Sequence, residues 1–489
     1  MFPPQKLPNK RPRYQTLPVP GFSGGVIASR DENLLPYAYA AKAYNFRYRD
    51  GALRDGTGFE RIGRTSINNP LTVPATGSPI KKLWHYKRAN PVTGAAADEI
   101  LAWCADGYIY AYRIRKLSPL TFENTGMQFF AEPDAVNYRL NSEDVILFSA
   151  SGAEMAVYNG IAATNYPNAP KLSHMEVHSE RLFAVVQKEP ERLYFSEVLN
   201  PTGWEINLTG AGFIDFADGR GAIIKLVSFL DYLYVFREFG ITRVTAFGDQ
   251  TQFWASNLFT SGGRILGGTV ALCGNAVIFA ASDGIYAFDG FSANKILPEL
   301  SERLNFINPA CAYFDGKYYI SASFDYKDGE QILDEANGSV VSTIIEYDPR
   351  NGEFCLTRGF DTAHMCVYAA PDAYFLLFAH GKDTQGYAYY MTGEGKFLNA
   401  VLPKNWTSPY SDLGRPDKYK VIKELSFISR VPCVVTVKTD ERAESFEVPG
   451  SPSVARLRPN VGGRLVSVAF DALNADSCIS RPVLTVAVS

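Results

Sequence analysis

AVIFAASDGIYAFDG, residues 276–290, reads as two apolar strands joined by a short polar turn. Val277, Phe279, Ile285 and Ala287 alternate with Ile278, Ala280, Tyr286 and Phe288, and both sets are apolar. Period-two alternation is strand patterning, and a hairpin that is apolar on both faces has to be covered on both. Ser282-Asp283-Gly284 supplies residues that tolerate the positive φ of a tight connection. Such a hairpin is not stable alone in water, so it needs similar neighbours on either side. The chain provides them: EILAWCADGYIYAYRIR (99–115), DVILFSASGAEMAVYNG (144–160), RLFAVVQKEPERLYFSEV (181–198), YLYVFREFGITRVTAF (232–247), KYYISASF with VSTIIEYD (317–348) and YFLLFAHGKDTQGYAYYMTG (374–393). Counted from Ile100, Val145, Leu182, Leu233, Val277, Tyr319 and Leu376, the repeats step by 37 to 57 residues. A hairpin recurring at roughly 40–50 residues is the spacing of β-propeller blades. The expected fold is all-β: a β-propeller of about six or seven blades over residues 41–400, an extended N-terminal arm over 1–40 and a small C-terminal β-sandwich over 401–489. The blade number depends on where 41–90 and 401–489 contribute strands.

The flanks have their own patterning. Residues 1–30 hold six prolines, five basic residues (Lys6, Lys10, Arg11, Arg13, Arg30) and no acid. Proline fixes φ and removes a donor, so this stretch is expected to be neither helix nor central strand, and an arm reaching a neighbouring subunit fits it. In 41–63, AKAYNFRYRDGALRDGTGFERIG, alternation across Ala43–Tyr48 followed by Asp50-Gly51 predicts a hairpin, with Arg47, Arg49 and Arg54 on its outer face. Lys10, Arg11, Arg13, Arg47, Arg49 and Arg54 are the candidate partner-docking residues. ILPELSERLNF (296–306) is the one predicted helix, opened by Pro298 and carrying Leu300 and Leu304. Residues 325–340 form a long acidic insertion between strands. After a proline-punctuated stretch at 401–418, six segments alternate with period two: 420–430, 434–440, 444–450, 453–460, 464–472 and 483–489.

The 489 residues carry a formal charge of −3, which argues against a dedicated nucleic-acid binder with a basic footprint. No apolar run approaches the roughly 18 residues of a membrane span, and AYFLLFA (373–379) suits a buried strand. No apolar stretch follows the basic N-terminus, so no secretory leader is expected. Seven cysteines without a CxxC spacing read as buried free thiols in a reducing cytosol. His174 and His178 are four apart, but the strand that follows argues against the helix a zinc motif needs. His85, His364 and His380 have no acidic or cysteine companions. Nucleophile-elbow, phosphate-loop and dinucleotide fingerprints are missing from the sequence, Asp325–Gly329 lacks the ligand alternation of a calcium loop, and Asp283 with Asp289 carries no weight as a carboxylate pair. No enzymatic activity, metal or cofactor is expected.

Four segments resemble the tail-hub, or packaged-DNA stabilisation, proteins of short-tailed bacteriophages. NFRYRDGALRDGTGFERIG (45–63) is similar to the family's opening strand, Asp-Gly, Leu-Arg, Pro-Gly-Phe phrase, with Thr57 where proline is usual. HSERLFAVVQKEPERLYFSEVLNPTGWE (178–205) resembles the mid-chain Tyr-Phe-Ser and Asn-Pro phrase. IIKLVSFLDYLYVFREFGITRV (223–244) with GGRILGGTVALCGNAVIFAASDGIYAFDG (262–290) resembles two central blades, and 456–489 the closing strands. The resemblance implies a virion structural protein without catalytic residues, assembled in the bacterial cytoplasm into the virion tail. Its implied partners are copies of itself in a ring, adaptor or portal-side proteins, and a tail needle, spike or nozzle component. Packaged double-stranded DNA would pass through the ring's lumen without sequence-specific binding, and a near-neutral charge avoids the counterion-driven sticking of a basic lining. The competing expectation is a glycan-binding or sialidase-like propeller at a cell surface. Ser282-Asp283-Gly284 fails the sialidase turn pattern, and Trp84, Trp103, Trp204, Trp254 and Trp406 read as mostly strand-buried.

Overall fold

The computed structural model describes residues 13–19, 22, 25–27, 39–63, 74–90, 92–113, 121–207, 210–216, 218–326, 342–371 and 373–488. Among them every regular element is a strand or a single 3-10 turn, and the strands form many small antiparallel sheets. The chain divides into two compact units: Met1–Gly58 with Glu353–Arg358 and Thr392–Ser489, and Phe59–Gly352 with Gly359–Met391.

The larger unit contains seven sheets in chain order, each built on one of the repeats. Their leading strands are Ile80–Tyr86, Pro133–Leu140, Leu172–His178, Ile223–Phe229, Ala271–Cys273, Cys311–Phe314 and Thr362–Ala370. Each leading strand pairs antiparallel with the next strand in the chain, as Ala271–Cys273 does with Ala276–Ala281, which then pairs with Gly284–Phe288. The two-sided apolar pattern of 276–290 is explained by burial: Val277 through Ala281 are fully enclosed.

Side chains of successive sheets share cores. Leu101, Ile109, Ile146 and Phe148 join the first sheet to the second. Leu147, Val157, Leu172 and Leu182 join the second to the third. Phe183, Leu193, Leu226 and Val235 join the third to the fourth, and Phe236, Ile241, Val277 and Phe279 the fourth to the fifth. Tyr318 of the sixth donates its hydroxyl to Thr269 O at 2.7 Å, just ahead of the fifth sheet. Phe314 of the sixth stacks on Tyr374 of the seventh at 4.5 Å. The seventh then packs on the first through Leu377, Ala379, Leu83 and Ile100, so the succession returns to its start. The seventh sheet also takes its next strand, Gly58–Arg61, from near the front of the chain. Ile62 N–H donates to Ala388 O at 3.0 Å, and Phe59 stacks on Phe360 at 4.0 Å and meets Phe378 edge-on at 5.2 Å. The unit is propeller-like.

The smaller unit holds a seven-stranded and a five-stranded antiparallel sheet. The first centres on Cys478–Val488, which pairs with Ala52–Asp55, Lys420–Ser429 and Arg13–Pro18. The second runs Lys42–Tyr44, Lys404–Thr407, Val466–Ala472, Cys433–Thr439 and Ala443–Val448. Phe427 of one sheet meets Phe470 of the other at 5.4 Å, and Phe22 sits edge-on to Trp406 at 4.8 Å. All six strands read from 420–489 are present.

Three features depart from the sequence reading. Residues 41–58 belong with the closing strands rather than the repeats, because Ala52–Arg54 pair with Cys478–Ser480. Arg13–Pro18 is not a free arm but an edge strand of its own chain's sheet; Tyr14 to Leu17 lie between Pro12 and Pro18 and keep their donors. The predicted helix at 296–306 is only a 3-10 turn at Ser301–Arg303. Leu297 precedes a proline and adopts φ 51°, which is incompatible with a helical start, and the chain is extended again by Leu304. The acidic insertion at 325–340 lies almost wholly outside the described residues.

Candidate functional site: a charged axis and an arginine hairpin

In the larger unit six of the seven leading strands contribute one or two polar side chains to a common cluster. Lys82, Asp134, His174, Glu176, Lys225, Cys311, His364 and Cys366 come from six of the seven leading strands. Asp134 is buried; one carboxylate oxygen accepts from Met175 N–H at 3.1 Å and the other from Ala135 N–H at 3.0 Å. Burial would raise its pKa, but Lys225, Lys82 and His174 outweigh that and hold it below the ordinary value. Lys225 is raised in turn, chiefly by Asp134 and, after the opposing effect of burial, by Glu176. Lys82 Nζ donates to Glu132 at 2.7 Å and to Pro133 O at 3.0 Å.

The imidazoles are kept neutral. Burial, then Lys82 and Lys225, push His364 down to about 3, and its Nδ1 accepts from Leu83 N–H at 3.2 Å. His174 is lowered by the same desolvation. Four residues along a strand span about 13 Å, so His174 and His178 do not share a ligand; His178 Nδ1 instead pairs with Ser228 Oγ at 2.8 Å. Burial pushes the thiols of Cys311 and Cys366 up to about 12, which removes thiolate nucleophiles at neutral pH. Desolvation lifts Glu176 to about 7 against the pull of Lys225, so this carboxyl changes protonation near neutrality. Among the described residues no three His, Cys, Asp or Glu side chains are arranged to hold a metal ion. The axis is thus a self-neutralising set of charges that ties leading strands together. Near the start of these strands a cleft of about 790 Å³ is lined by Lys81, Trp103, Phe130, Asp361 and Lys382.

Of the candidate docking residues, Lys10 and Arg11 lie outside the described residues, and Arg13 opens the edge strand opposite Val488. Arg47, Arg49 and Arg54 are brought together. Asp50 and Gly51 take φ 52° and 75°, the mirror-image turn that matches strand twist. The ladder sets Arg47 opposite Arg54, with Arg49 two residues along on the same face. Arg47 Nη2 donates to Thr57 Oγ1 at 2.9 Å, so the threonine that replaces the expected proline receives a guanidinium. Arg54 and Arg49 both lie 3.8 Å from Asp50, and Arg49 is the most exposed of the three. Trp406 alone of the five tryptophans is fully buried, and Trp254 is exposed, against the expectation of strand burial.

No family model matches the chain, and no curated protein matches it. Among solved structures it is similar to Chaetomium thermophilum Raptor, at 10% identity and a TM-score of 0.43 over 72% of this chain and 29% of that one. It is also similar to PorZ, a bacterial surface component of the type-IX secretion system of Porphyromonas gingivalis, at 12% identity and a TM-score of 0.40, covering 76% of this chain and 46% of PorZ. The chain thus spans less than half the length of either.

Proposed function

We propose that this chain is a ring-forming structural subunit of a short-tailed phage tail, a hub or nozzle component that extends the DNA channel below the portal and adaptor and helps retain packaged DNA. In this reading the larger unit is a seven-bladed wheel, the smaller unit is a β-sandwich, and the first residues form an arm toward a neighbour. The supporting observation is the behaviour of 45–63, the segment most like the family's opening phrase. Asn45 adopts φ 60°; its side chain donates to Arg358 O at 3.0 Å and Pro403 O at 2.7 Å and accepts from Arg358 N–H at 2.7 Å. A Cβ on Gly56 would stand 2.8 Å from Asn45 O, so only glycine fits there. Phe59 then lies in the strand that pairs with Ala388–Thr392 in the seventh sheet. The residues that carry the resemblance are therefore committed to architecture and leave the arginine face of the hairpin for docking.

The axis fits the same role, since neutralised buried charge stiffens a scaffold and offers no nucleophilic thiolate. The test is reconstitution. The purified chain is mixed with the portal and adaptor proteins of the genome that encodes it, and masses are read by mass photometry with electron microscopy of the products. Closed rings at an integral multiple of 54.0 kDa above the portal–adaptor mass are expected. A chain that stays monomeric at every ratio overturns the proposal.

A further inference from the structure

One region of the larger unit displays apolar side chains where folding gains nothing from them. Leu199, Leu230, Phe247 and Phe291 are 64%, 51%, 77% and 69% exposed. They belong to loops of the third, fourth and fifth sheets, and these loops come close to one another. Leu199 N–H donates to Glu180 O at 2.8 Å, which places it on the turn at Ser179-Glu180. Ser179, Leu230, Asp231 and Phe247 line one cleft of about 710 Å³. A Cβ on Gly290 would lie 3.0 Å from Leu230 Cδ1, and Tyr234 donates to Gly290 O at 3.3 Å, which brings Phe291's loop alongside.

Backbone conformation provides a second, independent observation. Leu199 and Leu230 hold φ 56° and 48°, a region bulky side chains avoid and turns normally fill with Asn or Gly. Strain that exposes a leucine points to a use outside the fold. The rim is mostly acidic: Glu180, Asp231, Asp249 and Asp289 are exposed, and none has an ion-pair partner among the described residues, while Arg243 sits over the Tyr232 ring beside the cleft. An apolar floor with a negative rim fits a segment that is apolar and basic. The chain's own first twelve residues, MFPPQKLPNKRP, have that character, with Phe2, Leu7 and four prolines interleaved with Lys6, Lys10 and Arg11 and no acid. Proline-rich segments lose little entropy on docking as extended chains against apolar clefts.

We propose that residues 1–12 of a second copy dock on this acid-rimmed patch around Leu230 and Phe247, the contact that links neighbours in the ring. The inference rests on the ring reading and gives it a specific joint. The experiment uses the full chain with a benzophenone amino acid in place of Phe247, mixed as 15N-labelled and unlabelled copies and irradiated. Heavy–light crosslinks mapping to residues 1–13 are expected, and the yield should fall at least threefold between about 50 and 300 mM salt as the rim is screened. Leu230→Asp with Phe247→Asp should weaken association at least tenfold at a melting temperature no lower than the parent's. Crosslinks confined to single copies, or mapping elsewhere while rings form, overturn the joint and leave the ring reading standing. If no rings form, binding of the fluorescent peptide 1–14 to the full chain, lost in the double variant, still supports the docking; a peptide that binds both proteins equally overturns it.

Discussion

Glu176 offers the most direct quantitative test of the charged axis. Its carboxyl is enclosed among the leading strands beside Asp134, and desolvation raises it from 4.5 to about 7 even though Lys225 and the Ser228 N–H pull the other way. A folded-state pKa above the unfolded one means the native protein binds that proton more tightly. The associated stability is complete below about 4.5 and is lost as pH rises through about 7. At about 1.4 kcal/mol per pH unit, the loss comes to roughly 3 kcal/mol by pH 8. Glu176→Gln retains an acceptor for Ser228 and cannot ionise. It should therefore be more stable than the natural chain by roughly 2–3 kcal/mol at pH 8 and nearly equal to it at pH 4.5. Urea unfolding followed by tryptophan fluorescence at several pH values reads both quantities. A variant whose stability follows the same pH curve as the parent would refute the claim that this carboxyl is desolvated. Asp134 has the opposite sign: its lowered pKa contributes stability above the unfolded value of 3.8 that is lost in acid, so Asp134→Asn should flatten the acid limb.

Other consequences are as direct. Phe59→Ala removes a ring stacked on Phe360 and should cost about 3–5 kcal/mol in urea unfolding; under 1 kcal/mol would mean the strand does not seal the seventh sheet. Asn45→Ala gives up three hydrogen bonds and a favoured positive-φ residue, so a loss of about 2–4 kcal/mol is expected, with Asn45→Asp losing the two donations as well. Leu230→Asn should raise stability by about 0.5–1 kcal/mol, measured by thermal unfolding, because asparagine accepts φ 48° more readily. Cys311 and Cys366 should resist iodoacetamide at pH 7.5 until urea is added, read by peptide mass spectrometry.

The repeats were legible because each hairpin announces itself twice, by alternation and by turn residues such as Ser282-Asp283-Gly284. The Asp50-Gly51 hairpin and the closing strands were legible for the same reason. Chain pairing across long separations was not: nothing local in LRD at 53–55 says that it will bond to 478 rather than to a neighbouring repeat. The 296–306 segment misled because Leu300 and Leu304 keep helical spacing, while the backbone at Leu297 forbids the helix. The charged axis had a weak signal that went unused. Each of KKLWHY, PDAVNY, SHMEVH, IIKLVSF and AHMCVY places at least one charged or histidine residue in a first strand, and only the folded structure shows that these positions meet.

The strand at 58–61 is made long before its partner at 388–392. The seventh sheet therefore stays open until synthesis has passed residue 388, and closing so large a loop is slow. Synthesis thereby sets a clock: a chain truncated before residue 388 lacks the partner of 58–61 and presents an unpaired strand edge.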